Sequence, residues 1–588
     1  MKMTLCSGKH SKYFIVVSRD ADEVTKYAAE ELEKYIYLAT DAIVPYHSDL
    51  CDRRGPEIFV GRGARGGIHD RPAGFLSLGA EGCEIKTEGE DILIRGDTSR
   101  GTLYGVYEFL ERFLGIRWFA ADEIRIPRSD TVDIEIKNEN GEACDSITVI
   151  PAFECRDVYW RGAFDGYFAS HNRINSGKAD ISPKQGGMER FYNFHHAMLD
   201  LVPPDEYFGS HPEYFSEIDG KRIKNGQLCL SNPDVLEISV ERVKKWIKDN
   251  PSCRIFSVAQ NDNQRYCRCE KCRTLDEKEG SPSANVIAFT NKLAERIAAE
   301  YPDIYLHTFA YQYTRKPPKT LCAHKNVIIR LCNIECALSK PLEYYIKADP
   351  CSTEARFVND LKGWSEKCKH LYIWDYCTNF SHYLMPFPNL DGLAQNIRLF
   401  YETGVRGLFE EGNFSQGGGG SMAPLQAYLQ ARLMINPYED IYALTDEFLN
   451  GYFGKSAPYI REYLDLMQNA VKPFDMRIRD CPNAGWLESD MIEKAQLCFD
   501  MAKSAAENEK VFLRVEKEWL SILYVRLTRM ELGAPGRDEM IDMFEHLCRK
   551  HHITELHERL DLDFSIEVMK KSRYAADRSG MYVLYYRM

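Results

Sequence analysis

Apolar and polar positions along the chain change pattern twice. Over residues 13–119, short apolar runs alternate with two segments of helical spacing. From about residue 151, short strands and amphipathic helices alternate regularly, and beyond residue 437 almost every segment has helical spacing. We therefore predict an α/β fold in which a small α/β accessory domain precedes a (β/α)8 TIM-like barrel and an α-helical domain follows it. The predicted boundaries are 1–145, 146–437 and 438–588.

The pattern also predicts the individual elements of each domain. In the accessory domain we expect strands at 13–17, 57–61, 83–85 and 91–96 and helices at 20–37 and 99–114. In the barrel we expect strands at 153–158, 254–259, 304–309, 327–331, 371–374 and 405–409 and helices at 234–248, 283–300, 352–367 and 392–403. Two more barrel strands are expected within 166–193. The C-terminal helices are predicted at 440–452, 457–471, 489–508 and 511–532.

Carboxylates stand at the ends of two successive predicted strands. The strand at 405–409 runs into Glu410 and Glu411 and then into a loop with four consecutive glycines, whereas the strand before it ends in Trp374, Asp375 and Tyr376. In a barrel enzyme the carboxyl ends of the strands carry the chemistry. Because adjacent strand residues point to opposite faces, we expect only one of Glu410 and Glu411 to face the site.

The charge and the aromatic content of the chain indicate which kinds of molecule it could bind. The chain has 75 basic and 88 acidic residues, a formal charge of −13, which argues against nucleic acid or an anionic membrane as partner. Its aromatic content of 12% suits carbohydrate stacking, although it suits large cores equally well. We therefore expect an oligosaccharide partner and leave homo-oligomerisation open.

Other features of the sequence bear on location. No run approaches the roughly 20 apolar residues of a membrane-spanning helix, and the first 13 residues lack the apolar core of a signal peptide. An odd number of cysteines, 19, without framework spacing suits a reducing compartment. We expect a cytoplasmic protein, or an extracellular one if a leader has been removed.

Three cysteines lie close together in the sequence, at Cys267, Cys269 and Cys272. Zinc takes four ligands, and the fourth could be Cys253 or a histidine brought near by folding. Structural zinc and free thiols both remain open, and no other cofactor is expected.

Two stretches resemble known glycosidases. Residues 97–110 together with 115–119 look like the end of the accessory domain that precedes the barrel in family 20 hexosaminidases and family 67 α-glucuronidases. Several separate motifs resemble those of the DUF4838 proteins, which include the family 163 endo-β-N-acetylglucosaminidases. These motifs are FHH at 194–196, HPEYF at 211–215, QNDN at 260–263, IEC at 334–336, WDY at 374–376 and FEEGN at 409–413.

The resemblance, which spans about residues 10–440, implies a glycoside hydrolase acting on a β-linked N-acetylhexosamine by carboxylate acid/base catalysis. In a substrate-assisted variant the acetamido group itself attacks. Asn261 and Asp262 stand where the hexosaminidases keep an Asp-Glu pair, so that pair is not reproduced.

The candidate catalytic residues are therefore Glu411, Glu410 and Asp262. The candidate substrate-binding residues are Asn261, Asp375, Trp374, Tyr376, Tyr311, His195, His196, His382, Arg156 and Asn413. Two alternatives stay open. An α-glucuronidase-like enzyme would have a cationic pocket near Arg156, Arg161 or Arg173, and an inactive carbohydrate-binding protein would keep the aromatic residues without the pair of carboxylates.

Overall fold

The computed structural model of the chain describes residues 2–70, 77–138 and 140–571. Its N-terminal part contains ten strands and two long helices. The strands are β1 (Lys2–Ser7), β2 (Phe14–Val17), β3 (Tyr46–Ser48), β4 (Glu57–Val60), β5 (Cys83–Glu88), β6 (Asp91–Gly96), β7 (Arg117–Ala120), β8 (Glu123–Arg125), β9 (Thr131–Glu135) and β10 (Ser146–Val149), and the helices are α1 (Glu23–Thr40) and α2 (Ser99–Leu114).

Local sequence fixes both helices. The side chain of Asp22 accepts the N–H of Thr25 at the start of α1, and the hydroxyl of Thr98 accepts the N–H of Gly101 at the start of α2. The helices pack on a six-stranded mixed sheet of order β10-β5-β6-β4-β2-β3, in which β5 and β10 run antiparallel to their neighbours.

The middle of the chain has nine strands and ten helices. The strands are β11 (Cys155–Tyr159), β12 (Phe191–Tyr192), β13 (Glu217–Ile218), β14 (Lys221–Arg222), β15 (Ile255–Ser257), β16 (Tyr305–Ala310), β17 (Val327–Cys332), β18 (His370–Tyr376) and β19 (Gly407–Glu411). The helices are α3 (Gly166–His171), α4 (Met198–Leu201), α5 (Pro204–Tyr207), α6 (Pro233–Asp249), α7 (Glu270–Glu279), α8 (Ser283–Ala298), α9 (Leu342–Ala348), α10 (Thr353–Ser365), α11 (Leu390–Glu402) and α12 (Ala423–Ile435).

Seven of these strands form a curled, entirely parallel sheet of order β11-β19-β18-β17-β16-β15-β12. The first strand thus pairs with the last, as in a barrel, but no pairing between β11 and β12 closes the ring in the part of the chain that the structure describes. The outcome is a half-barrel of seven strands, where the sequence predicted a closed barrel of eight. The segment 166–193 supplies one of its two expected strands, because its Gly-, Asn- and Ser-rich residues lack a second apolar run.

The C-terminal part is helical, as predicted. Its elements are α13 (Ile441–Phe453), α14 (Ala457–Val471), α15 (Ser489–Ala505), α16 (Glu509–Arg529), α17 (Arg537–Lys550) and α18 (Leu562–Lys571), with a small hairpin of β20 (Glu555–His557) and β21 (Leu560–Asp561). None of the helices in the described ranges combines the length and the apolar surface needed to cross a bilayer.

Contacts group the chain into two compact units that each combine distant segments. One unit contains Met1–Ala152, Gly162–Met188 and Pro424–Ala457, and the other contains Phe153–Arg161, Glu189–Ala423 and Pro458–Met588. The second unit holds the half-barrel together with the C-terminal helices. The predicted three-domain boundaries stay a prediction.

Candidate active site

The concave face of the half-barrel is identified by Arg330 on β17. Its guanidinium lies over the rings of Phe194, Tyr372 and Phe409, at 4.5, 5.9 and 5.6 Å from their centroids. Phe409 on β19 and Phe194 after β12 do not lie on strands next to β17. Their rings can therefore reach Arg330 only on the inner side of the curled sheet. Since side chains alternate along a strand, Trp374 on β18 and Glu411 on β19 share this face.

Aromatic side chains line the carboxyl end of the concave face. The ring of Trp374 lies 4.6 Å from that of Phe409 and 6.2 Å from that of Tyr376. Strand register places Glu411 directly between Tyr159 of β11 and Tyr376 of β18. One carboxyl group is therefore flanked by aromatic side chains on both neighbouring strands.

Glu411 keeps part of its surface accessible while its carboxyl group lies among these rings. Burial raises the pKa of Glu411 to about 8, although a hydrogen bond from the Trp374 indole Nε1, 2.7 Å from Oε2, acts in the opposite direction. The carboxyl group is therefore protonated at neutral pH. A protonated acid on an aromatic concave surface can donate a proton to a bound sugar.

Glu410 and Asp375 occupy the opposite face of the same two strands. Glu410 is fully buried, and its Oε2 accepts a hydrogen bond from the Cys377 thiol at 3.0 Å. Burial, and then the charge of Asp375, raise the pKa of Glu410 well above its usual range. Burial also raises the pKa of Asp375 to about 6, although the amide of Asn333 donates to its Oδ1 at 2.6 Å. The structure therefore does not bring Glu410 and Asp375 to the face that carries Glu411.

Asp262 lies in the exposed loop that follows β15, at the same end of the sheet. Its Oδ1 accepts hydrogen bonds from the Tyr311 hydroxyl at 3.1 Å and the Gln312 amide at 3.3 Å. Gln312 has a φ of +52°, a conformation that non-glycine residues seldom adopt. Asn261, the residue before Asp262, holds this loop in place, because the backbone N–H of Asn261 donates to Oε1 of Gln227 at 2.9 Å.

Among the three predicted histidines, His196 packs against another predicted site residue, Tyr311. Its Nδ1 donates to the carbonyl of Gln260 at 2.5 Å, and its ring lies 6.0 Å from that of Tyr311. His195 is exposed, and its carbonyl accepts from Ser257. His382 is buried where its Nδ1 meets the hydroxyl of Tyr524 on α16 at 2.7 Å, so it belongs to the packing of the helices.

Two other candidates form contacts with the backbone. Arg156 is buried, and its guanidinium donates to the carbonyl of Phe153 at 2.5 Å. Asn413 is also buried; its side chain donates to the carbonyl of Gly419 and accepts the N–H of Ser415 at 2.9 Å. Asn413 thereby braces the glycine-rich loop that follows β19.

The sequence analysis missed Asp157 and Tyr159, which end β11 on the concave face. Asp157 is buried, and Tyr159 lies beside Glu411 in strand register. The rule that drew attention to Glu411, chemistry at the carboxyl end of a strand, applied equally to the first predicted barrel strand.

The glycine-rich loop is held by the C-terminal helices. Lys517 on α16 donates to the carbonyl of Gly417 at 2.7 Å, and buried Glu518 accepts the N–H of Met422 at 2.8 Å. A Cβ at Gly417 would overlap the carbonyl oxygen of His552, and one at Gly412 would overlap the ring of Trp160. These glycines permit close packing of the backbone next to the site.

Comparison with known proteins identifies one matching family model and several solved structures with a similar fold. The family model DUF4838, described as a domain of unknown function, matches residues 118–465. A search of curated proteins gives no match. The solved structure of BtGH115A, a family GH115 4-O-methyl-α-glucuronidase with specificity for decorated arabinogalactans, superposes with a TM-score of 0.58 at 12% identity, over 97% of this chain and 80% of that one.

Two other glycoside hydrolase structures are more distant. A GH138 enzyme targeting pectin rhamnogalacturonan II has a TM-score of 0.41 at 10% identity, with 98% of each chain covered. CpGH84B has a TM-score of 0.46 at 11% identity, with 94% of each chain covered.

Proposed function

The chain belongs to the DUF4838 family, and from that premise we propose that it is a glycoside hydrolase in which Glu411 is the proton donor. The observation that carries the proposal is Glu411, a partly exposed residue whose carboxyl group is flanked by Tyr159 and Tyr376 and has a pKa raised to about 8 by burial. Hydrolysis requires an acid to protonate the leaving oxygen of the glycosidic bond. The fold shared with a glycosidase of family GH115 agrees with this proposal.

We assign the second role to Asp262. As the anomeric carbon gains positive charge, a carboxylate at the carboxyl end of β15 could attack it, or could orient an acetamido group that attacks instead. Tyr311 and Gln312 already donate to Oδ1 of Asp262, which fixes the direction of the carboxylate. Trp374 is partly exposed and could provide a ring face for sugar stacking, whereas Tyr376 and Tyr311 are buried behind this surface.

For the substrate we propose a β-linked N-acetylhexosamine, whose apolar ring face fits the aromatic side chains beside the acid. The guanidinium of Arg330 lies on the same face but is buried against aromatic rings. A uronide would need a cationic pocket, but Arg156 donates to a backbone carbonyl and buried Arg173 pairs with Glu111 at 2.9 Å. These contacts give less support to an acidic sugar.

The test is hydrolysis of β-GlcNAc, β-GalNAc and α-glucuronide aryl glycosides and of released N-glycans by wild type and three variants. We expect Glu411→Gln to lower kcat on unactivated glycans by about 10²–10⁴-fold, the usual contribution of general acid catalysis. Aryl glycosides with a good leaving group need less protonation, so the same variant should lose much less activity on them. Asp262→Asn should lower activity on both kinds of substrate.

Glu410→Gln is the matched control, since it makes the same change one residue away on the opposite face. If Glu410→Gln loses as much activity as Glu411→Gln, the proton donor is wrongly assigned. If glycans bind to the wild type without being cut, the protein is a carbohydrate-binding protein. Cleavage confined to uronides would overturn the proposed substrate.

A further inference from the structure

Four cysteines meet at one point of the second compact unit. The sulfur atoms of Cys229, Cys267, Cys269 and Cys272 all lie within 4.8 Å of one another. Three of them follow β15, as the sequence indicated, and the fourth arrives from the segment before α6. Cys253, the cysteine expected as a possible fourth member, is not in the group.

The spacing of the sulfurs suits a shared metal ion. Zinc bound by four thiolates at about 2.3 Å in a tetrahedron holds its sulfurs about 3.8 Å apart. The sulfurs of Cys229 and Cys269 lie 3.8 Å apart, whereas a disulfide would bring them to about 2.0 Å. Cys229, Cys267 and Cys272 are buried, so the cluster is also shielded from competing ligands.

The surroundings of the cluster favour thiolates. Cys269 caps the start of α7 and Cys272 lies in its first turn, where the positive end of the helix dipole stabilises negative charge. The N–H of Glu217 donates to the sulfur of Cys267 at 3.3 Å, and the guanidinium of Arg222 lies 3.8 Å from the same sulfur. Donors of this kind partly neutralise a zinc centre with four thiolates, which carries a net charge of −2.

From this geometry we propose that Cys229, Cys267, Cys269 and Cys272 bind one zinc ion. With four protein ligands the ion has no open position for water or substrate, so the site is structural. It cross-links the segment before α6 to the loop after β15, which start 38 residues apart at Cys229 and Cys267.

The cross-link holds the loop that carries Asp262. Gln227, two residues before Cys229, donates through Nε2 to the carbonyls of Asn261 and Asn263, at 2.9 and 3.0 Å. Zinc at the cysteines therefore fixes the backbone on both sides of Asp262. This last consequence for catalysis rests on the proposed function, whereas metal binding does not depend on it.

The first experiment measures metal content in the full chain purified under reducing conditions, by inductively coupled plasma mass spectrometry. We expect about one zinc per chain in the wild type and in Cys253→Ser, and at least a tenfold loss of zinc in Cys229→Ser. Cys253→Ser is the matched control because it makes the same change at a cysteine outside the cluster. Zinc retained by Cys229→Ser but lost by Cys253→Ser would overturn the ligand assignment.

The second experiment needs no variant and so does not depend on whether Cys229→Ser folds. The wild-type chain is stripped of metal under reducing conditions and titrated with Co²⁺, and we expect the thiolate-to-cobalt charge-transfer and visible bands of a tetrahedral sulfur site. Absence of both zinc in the purified chain and these bands on titration would overturn the proposal. A Cys229–Cys269 disulfide in freshly purified protein would do the same. Neither readout requires activity, so failure of the zinc site and failure of the proposed glycosidase are separately visible.

Discussion

The two largest influences on the pKa of Glu411 oppose each other. Burial among aromatic side chains disfavours the carboxylate and raises the pKa to about 8, whereas the Trp374 indole favours the carboxylate by donating to it. As a proton donor, Glu411 is active below this pKa and inactive above it. Activity should therefore fall as the pH rises through about 8.

Replacing Trp374 tests this balance. Trp374→Phe keeps a ring on the concave wall but removes the N–H that stabilises the ionised form, so the pKa of Glu411 should rise further. We expect the alkaline limb of the kcat/KM profile to move to higher pH, while kcat/KM itself falls modestly because part of the stacking surface is lost. The measurement is the pH dependence of kcat/KM on an unactivated glycan.

Trp364→Phe controls for the loss of an indole, since its Nε1 donates to the carbonyl of Arg315 at 2.7 Å, apart from Glu411. Its alkaline limb should match the wild type. A limb that moves to lower pH in Trp374→Phe would contradict the role given to the indole.

At the residue scale, the sequence predicted which side chains point to opposite faces of a strand, but not the side chains that surround each of them in the fold. Strand alternation predicted that Glu410 and Glu411 would face opposite sides, and their contacts with Cys377 and Trp374 agree. The sequence did not show that Glu410 would be fully buried while Glu411 keeps part of its surface exposed. Cys229 was also missed, because a single cysteine 38 residues upstream gives no local signal.

Among the elements, long periodic segments were predicted well. Every predicted helix is present, with ends within three residues of those expected, because apolar spacing at 3.6 residues persists over many turns. The two-residue strand β12 could not be located in advance, since it is too short for alternation to be recognised. The role of the four-glycine loop also depends on tertiary contacts with α16 and with residues after α17.

Glycine substitutions test that role with a matched pair. Gly417 and Gly404 have φ angles of +82° and +86°, but a Cβ at Gly417 would overlap the His552 carbonyl, whereas one at Gly404 would meet nothing within 4 Å. Both alanine variants should lose about 1–2 kcal/mol of folding free energy, because a residue with a Cβ disfavours this left-handed backbone conformation. Gly417→Ala should lose about 1–3 kcal/mol more through overpacking, as measured by chemical denaturation. Equal losses in the two variants would show that the loop can move away from His552.

For the whole molecule, buried acids make stability depend on pH in an unusual direction. Burial raises the pKa of Glu410 well above its usual range and that of Glu518 to about 7. Above about pH 4.3 these groups ionise in the unfolded chain before they ionise in the fold, so rising pH favours unfolding until it passes the folded pKa, which for Glu518 is about 7. Burial lowers the pKa of His382 well below its usual range and that of His557 to about 4, so these two destabilise the fold only below about pH 6.5.

We therefore expect the free energy of unfolding to decrease between pH 7 and 8, where these histidines are neutral in both states. Glu410 should contribute to this decrease, because burial raises its pKa well above the usual range. Glu410→Gln should remove that part of the decrease, whereas Glu343→Gln, which removes an exposed charge at α9, should leave it unchanged. The measurement is denaturant unfolding at several pH values. A wild-type stability that rises over this interval would contradict the expected burial of Glu410.

The interleaving of the two compact units has a consequence for biosynthesis. In the first unit, the ring of Phe119 packs 5.4 Å from that of Tyr428, and Glu111 pairs with Arg432 at 2.8 Å, yet 236 residues separate Met188 from Pro424. A ribosome adding about 5–20 residues per second takes roughly 10–50 seconds to cover that distance. During this interval the apolar surface around Phe119 stays exposed, because the residues that cover it, such as Tyr428, have not yet been translated. We therefore expect the nascent chain to need protection from aggregation until α12 and α13 emerge, and the first unit to complete its fold late in translation.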